Sequence, residues 1–148
     1  MIRDGKKLPA NVTKKIPAVT AKIAKDVTVV ALYSFGSLAE GNLKPLSDLD
    51  FGILLSETID RQGRFDKSID LIGIFNDVLR TDEVDLVILN DAPLRFARQI
   101  VATGKLLFCR DQNRLVDFIE KTTKRYLDFK PVREQFDRVF LEGIGYHG

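Results

Sequence analysis

Three aspartates and a Gly-Ser pair are the residues of this chain whose types and spacing could support chemistry together. Asp48 and Asp50 stand one residue apart at the start of an apolar run, and Gly36-Ser37 follows an earlier apolar run. Side chains two positions apart on a strand point to the same face, so both carboxylates should face one way. Like charges held this close repel each other unless a cation lies between them. Because Mg²⁺ commonly binds through one or two carboxylates plus substrate phosphates, the pair is a predicted metal site.

The Gly36-Ser37 pair predicts a phosphate-binding turn beside that metal site. A glycine at a strand-to-helix turn lets the backbone approach an anion, and amides at a helix N-terminus favour negative charge. The Ser37 hydroxyl can donate one more hydrogen bond to a phosphate oxygen. Ten residues, 38–47, separate Ser37 from Asp48, which is enough for a helical turn and a loop back to the sheet.

A third carboxylate, Asp85, lies near the beginning of another apolar run, residues 83–89. A charge in such a strand costs stability unless it is paired or bound to a metal. If this strand lies beside the one that carries Asp50, three carboxylates meet around one or two divalent ions. That arrangement serves attack of an oxygen nucleophile on a nucleoside triphosphate, with loss of pyrophosphate. Asp48 and Asp50 would then bridge the ions, and Asp85, bound to the catalytic ion only, would help to deprotonate the incoming hydroxyl.

The elements that must position these residues follow from hydrophobic periodicity and from proline and glycine breaks. Four strands are predicted, over residues 27–35, 49–55, 83–89 and 105–109. Helices are predicted over residues 17–25, 63–80, 92–103 and 111–141, the last interrupted at Pro131. The helix of residues 63–80 should be the return crossover between the second and third strands, with a stripe of Phe65, Ile69, Ile72, Phe75, Asn76 and Leu79. This order predicts an α+β fold with a small mixed sheet, flanking helices and a long C-terminal helical region from about residue 111.

Length and composition predict one soluble domain, residues 17–148, preceded by a basic N-terminal arm of residues 1–16. The chain has 148 residues, 45% of them hydrophobic, and a formal net charge of +2. So small a charge makes nucleic acid an unexpected direct ligand. A single cysteine, Cys109, excludes an internal disulfide and fits a reducing compartment. No apolar run approaches the roughly 20 residues of a membrane span, so we expect a cytoplasmic protein without a membrane partner.

Other phosphate and metal motifs fit the chain poorly. A calcium loop counted from Asp48 would have Ile59 where a bidentate glutamate is required. The stretch GSLAEGN has the glycine interval of a P-loop, but Asn42 and Leu43 stand where Lys and Ser/Thr are needed. His147, the single histidine, lies in a Gly-flanked tail and offers little for Ser-His or zinc chemistry.

At Gly36-Ser37, Asp48-Leu49-Asp50 and Asp85 the chain resembles the minimal nucleotidyltransferases of the DNA polymerase β superfamily. Their signature is Gly-Ser, ten residues, Asp-x-Asp, and a later strand aspartate. Residues 92–117 and 126–129 resemble the antitoxin subfamily that pairs with HEPN-domain toxins. The resemblance implies a polymerase-β-like fold, Mg²⁺, ATP as substrate, and transfer of AMP to a tyrosine of the partner toxin. The chain departs from many relatives at Glu40, where they carry an arginine.

Two classes of function follow. In the first, the chain is a protein adenylyltransferase that forms a complex with its HEPN toxin; a small-molecule hydroxyl or an RNA end is the rival acceptor within this class. In the second, the chain is an antitoxin that acts by binding alone, with vestigial carboxylates. Support for binding alone comes from an apolar stripe of the last helix, Val132, Phe136, Val139 and Phe140.

Overall fold

The structure is a computed structural model that describes the backbone of residues 7–143 and the side chains of residues 7–127. A short 3₁₀ helix, Val12–Lys15, precedes the elements that build the domain. In chain order these are α1 (Ile16–Ile23), β1 (Val29–Phe35), α2 (Gly36–Glu40), β2 (Leu49–Leu55), α3 (Arg61–Leu79), β3 (Val84–Ile88), a 3₁₀ turn (Leu89–Asp91), α4 (Leu94–Thr103), β4 (Lys105–Cys109) and α5 (Gln112–Gly143). The predicted strands and helices are present, with ends that differ by a few residues.

The four strands form one mixed sheet in the order β3-β2-β1-β4. Strand β1 pairs antiparallel with both β2 and β4, whereas β2 and β3 are parallel. Parallel neighbours need a crossover connection, and α3 supplies it, as predicted. The α+β fold class is therefore confirmed.

Both faces of the sheet are covered, because alternate residues of β2 and β3 enter two separate cores and residues of β1 enter both. On one face, Leu49 and Phe51 of β2 pack with Leu71 and Phe75 of α3, and the Phe51 and Phe75 rings are stacked 4.4 Å apart. On the other face, Tyr33, Leu54, Ile100 and Leu115 join β1 and β2 to α4 and α5. We call these the α3 face and the α4 face.

The apolar stripe that we predicted for α3 is wrong at its first two positions. Phe65 and Ile69 are 60% and 56% exposed, and the buried face is formed by Leu71, Phe75 and Leu79. At 100° per residue, Ile69 and Leu71 lie about 160° apart around the helix. The predicted stripe omitted Leu71, so it was centred too far towards the Ile69 side of the buried face.

The predicted break at Pro131 is also wrong, because helix α5 continues from Gln112 to Gly143. A proline removes one helical hydrogen bond and crowds the preceding turn, but it does not have to end a helix of this length. The apolar stripe that begins at Val132 lies outside the described side chains, and His147 lies outside the described residues.

Part of the predicted basic arm packs on the domain. Val12 is 3% exposed and belongs to the core of the α3 face. The Leu8 amide donates to the Pro45 carbonyl at 2.8 Å. Residues 1–6 lie outside the described part, and the boundary at residue 16 stays a prediction.

Two side chains fix the connections around β2 and β3. Asn90 donates to the Leu55 carbonyl and accepts from the Leu55 amide, both at 2.9 Å, so its amide group extends the pairing at the end of β2. Arg64 donates two hydrogen bonds to the Asp91 carboxylate, at 2.8 and 2.6 Å, and lowers the pKa of that carboxyl.

None of the described helices is long and apolar enough to cross a membrane.

Candidate active site

The sheet brings the predicted site residues to one of its ends. Asp50 is paired with Phe35 of β1 on one side and with Asp85 of β3 on the other. Gly36 follows Phe35 directly, so the end of β1 and the beginnings of β2 and β3 meet there. The strand neighbours of Asp50 enter the core of the α3 face, and Asp50 therefore lies on the α4 face. Asp48, two residues earlier, is expected on that face by the strand period.

The turn at Gly36 lies directly against the Asp50 carboxylate. Gly36 has a φ of 65°, in the left-handed region, and a Cβ added there would stand 2.5 Å from Asp50 Oδ2. A glycine is thus required at this position both by conformation and by space. Sequence reasoning placed Gly36 and Asp50 in neighbouring parts of one site, but it gave no sign of this direct contact.

A compact loop connects this turn to β2. Helix α2 is a single short turn that ends at Gly41, whose φ is 74°. The Asn42 amide donates to the Ser37 carbonyl at 3.1 Å, which closes the loop behind Ser37. Glu40 is exposed, so this acid lies at the surface of the loop.

Burial and mutual repulsion raise the pKa values of two of the acids. Burial, followed by the charges of Asp85 and then Asp48, raises the pKa of Asp50 to about 6. Burial and then the charge of Asp48 raise the pKa of Asp85. All three carboxylates therefore act on one another electrostatically, which is the condition under which a cation becomes a favourable partner.

This donor set fits a hard divalent ion that shares its ligands with a substrate. Within residues 7–127, no three His, Cys, Asp or Glu side chains stand close enough to hold a metal ion by themselves. Mg²⁺ does not need such a cage, because it keeps several waters and commonly binds to one or two carboxylates and to phosphate oxygens. Asp48 and Asp50 supply hard oxygen atoms of this kind, and the substrate would supply the rest.

Glu83 is a further acid whose backbone adjoins the start of β2, and sequence reasoning gave it no role. Glu83 precedes Val84 just as Asp48 precedes Leu49, and Leu49 and Val84 are paired. The Leu49 amide donates to the Glu83 carbonyl at 2.9 Å, and the Glu83 residue is 3% exposed. The available signal was the spacing, since Glu83-x-Asp85 repeats the one-residue interval of Asp48 and Asp50.

Comparison with known families shows which family has this arrangement of residues. The model of the family "Polymerase beta, Nucleotidyltransferase" matches residues 18–113, which include the Gly-Ser turn and all three aspartates. The chain belongs to the polymerase beta nucleotidyltransferase family. The family and the polymerase-β-like fold that the Gly-Ser and Asp-x-Asp spacing indicated are both confirmed.

Individual members of the family are similar to the chain over most of its length. The protein adenylyltransferase MntA of Shewanella oneidensis is 29% identical over 103 residues, which is 70% of each chain. A crystal structure of a toxin-antitoxin with AMP-PNP has a TM-score of 0.65 at 28% identity, covering 86% of this chain and 98% of its own. A structure of a tri-AMPylated Shewanella oneidensis HEPN toxin in complex with an MNT antitoxin has a TM-score of 0.58 at 27% identity, covering 84% and 98%. The predicted likeness to the antitoxin subfamily is confirmed.

Proposed function

We propose that this nucleotidyltransferase is the antitoxin of a HEPN-type toxin and transfers AMP from ATP to a tyrosine hydroxyl of that toxin. The reaction would depend on Mg²⁺ and take place in the cytoplasm. One observation carries the proposal: the strand register sets Asp50 between Asp85 and the glycine turn that begins at Gly36. The relatives support the choice of donor and acceptor, since their structures hold an ATP analogue in one case and an AMPylated HEPN toxin in another.

The proposed roles follow from the chemistry of each residue. The backbone at Gly36 approaches the triphosphate without interference from a Cβ, and the Ser37 hydroxyl donates to a phosphate oxygen. Asp48 and Asp50 would hold the magnesium. When bound, Mg²⁺ would neutralise negative charge on the triphosphate and on the departing pyrophosphate.

The transfer itself forms one bond and breaks one. The tyrosine oxygen attacks the α-phosphorus of ATP, and the bond from that phosphorus to the oxygen that bridges it to the β-phosphate breaks. AMP becomes esterified to the tyrosine, and pyrophosphate leaves with the electron pair of the broken bond. The proton of the tyrosine hydroxyl passes to the Asp85 carboxylate and from there to solvent.

Access to the acids suits an acceptor that is part of a macromolecule. Asp48, Asp50 and Asp85 are each only partly buried, so a side chain presented by another protein can reach the end of the sheet. A tyrosine on a folded partner can be held in line with the α-phosphorus by the contacts that the partner makes elsewhere.

The test is label transfer in the reconstituted complex. The purified chain is mixed with its HEPN toxin and Mg²⁺, and with ATP labelled either at the α-phosphate or at the γ-phosphate. We expect the toxin to acquire the α-label and not the γ-label, and the Asp48→Ala/Asp50→Ala variant to transfer neither. Asp70→Asn, an exposed acid of α3 on the opposite face of the sheet, is the matched control and should transfer normally. Binding without label transfer, together with protection of cells by the double variant, would leave an antitoxin that acts by binding alone.

A further inference from the structure

Helix α3 carries an apolar surface that nothing in the described part of the chain covers. Phe65 and Ile69, one helical turn apart, are 60% and 56% exposed. The next residue along the same face is Gly73, which is also exposed, and a Cβ added there would meet nothing within 4 Å. A glycine inside a helix destabilises it relative to alanine, and the packing of the single chain gives no reason for a glycine here.

We infer that this face is an interface with a second copy of the chain, in which two α3 helices pack antiparallel and cross at Ile69. A two-fold axis through Ile69 pairs residues that are equally far before and after it in sequence. Phe65, four residues before, is then opposite Gly73 of the other copy, four residues after. The largest exposed side chain of the helix would thus enter the space that the missing glycine side chain leaves.

Charge complementarity selects the same arrangement. Arg61, eight residues before Ile69, is opposite Asp77 of the other copy, eight residues after, and both residues are exposed. The axis repeats each contact, so one interface holds two Phe-Gly contacts and two Arg-Asp pairs. A parallel pairing would instead set Arg61 against Arg61 and Asp77 against Asp77, which is repulsive.

The location of the surface is compatible with the transferase site. Helix α3 packs on one face of the sheet through Leu71 and Phe75, whereas the three aspartates are assigned to the α4 face. A dimer through α3 would therefore leave the acidic end of each sheet open to its own acceptor. The inference concerns the chain alone and does not depend on the transfer reaction.

The first experiment measures self-association of the full chain by sedimentation equilibrium over a wide concentration range. We expect a monomer–dimer equilibrium, and we expect Gly73→Gln to raise the dissociation constant about tenfold or more, because it fills the space opposite Phe65. Glutamine is a better helix former than glycine, so the variant should keep or raise the melting temperature of the monomer. A loss of dimer would then not result from unfolding.

A charge exchange tests the register. Arg61→Glu alone and Asp77→Arg alone should each weaken the dimer, and the double variant should restore it, because the two sites face each other only in the antiparallel pairing. Lys124→Glu, an exposed site on α5, makes the same change of charge as Arg61→Glu and should leave the dimer intact.

Two results would overturn the inference. The first is a monomer throughout the concentration series; if the α3 variants of that monomer also lose affinity for the HEPN toxin, the face belongs to the toxin. The second is a dimer that the double charge variant does not restore.

Discussion

Replacing Asp50 by asparagine should stabilise the metal-free protein at neutral pH, although it removes a residue of the proposed site. Burial and the charges of Asp85 and Asp48 raise the pKa of Asp50 from 3.8 to about 6. At about 1.4 kcal/mol per pKa unit, a shift of that size corresponds to about 3 kcal/mol. Asp50 is partly exposed, and screening by solvent reduces the expected gain to about 1 kcal/mol.

The sign of the effect sets its pH dependence. Because the folded state raises this pKa, the folded protein binds the proton more tightly than the unfolded chain does. The charged Asp50 carboxylate therefore does not destabilise the native protein below the unfolded-state pKa of 3.8. Its destabilising effect grows as the pH rises towards the folded-state pKa of about 6 and is complete above it. The asparagine variant should therefore match the native protein at acidic pH and exceed it in stability above about pH 7.

The assay is urea unfolding in a metal chelator at a series of pH values, with Asp70→Asn as the control. Asp70 is an exposed acid on α3, so its replacement should change the free energy of unfolding little and without this pH dependence. A variant Asp50→Asn that is less stable than the native protein at neutral pH, or whose gain is the same at all pH values, would refute the reasoning. Addition of Mg²⁺ and ATP should make the native protein the more stable of the two, because the ligands stabilise it by linkage and the variant binds them weakly.

Three further predictions follow from the same geometry. Gly36→Ala should abolish label transfer, because the added Cβ would displace the Asp50 carboxylate. Gly41→Ala is its control: φ is 74° there and no atom lies within 4 Å of the added Cβ, so this variant should keep transfer and lose only about 1 kcal/mol of stability. Mg²⁺ with ATP should raise the melting temperature of the native chain, and a scan of the Asp48→Ala/Asp50→Ala variant should show no rise. Asn90→Ala should lower the free energy of unfolding by about 1–3 kcal/mol, because it leaves the Leu55 amide and carbonyl unpaired. Urea unfolding measures this loss, and an unchanged midpoint would mean that water replaces both hydrogen bonds.

The sequence predicted those parts of the fold that depend on local pattern. Short apolar runs located β2 and β4 with their observed ends, and the one-residue interval of Asp48 and Asp50 gave two acids at the start of β2. The pairing of Asp50 with Asp85 could be stated only as a condition, because strand order is a property of the whole chain. The observed parallel register between β2 and β3 fulfils that condition.

The wrong predictions arose where a local sequence pattern is compatible with more than one three-dimensional arrangement. Phe65 and Ile69 are apolar and helically spaced, but whether they face the sheet depends on which side of α3 is docked. Pro131 usually signals a helix end, yet the helix continues through it. The contact between Gly36 and Asp50 joins the first residue of α2 to a residue of β2, and no feature of either neighbourhood in the sequence encodes it.

The packing beneath the acids explains why their repulsion persists in the folded chain. The backbone of Asp50 could move away from that of Asp85 only if β2 and β3 separated, and that would expose Leu49 and Phe51, which are both fully buried. Each of these side chains contributes about 1.5–3 kcal/mol by its burial, more than the repulsion costs. The strands therefore hold the carboxylates at a spacing that is unfavourable without a cation. A magnesium ion bound to the carboxylates would relieve that repulsion, so the strands already hold the acids near one another for the cation that they are proposed to bind.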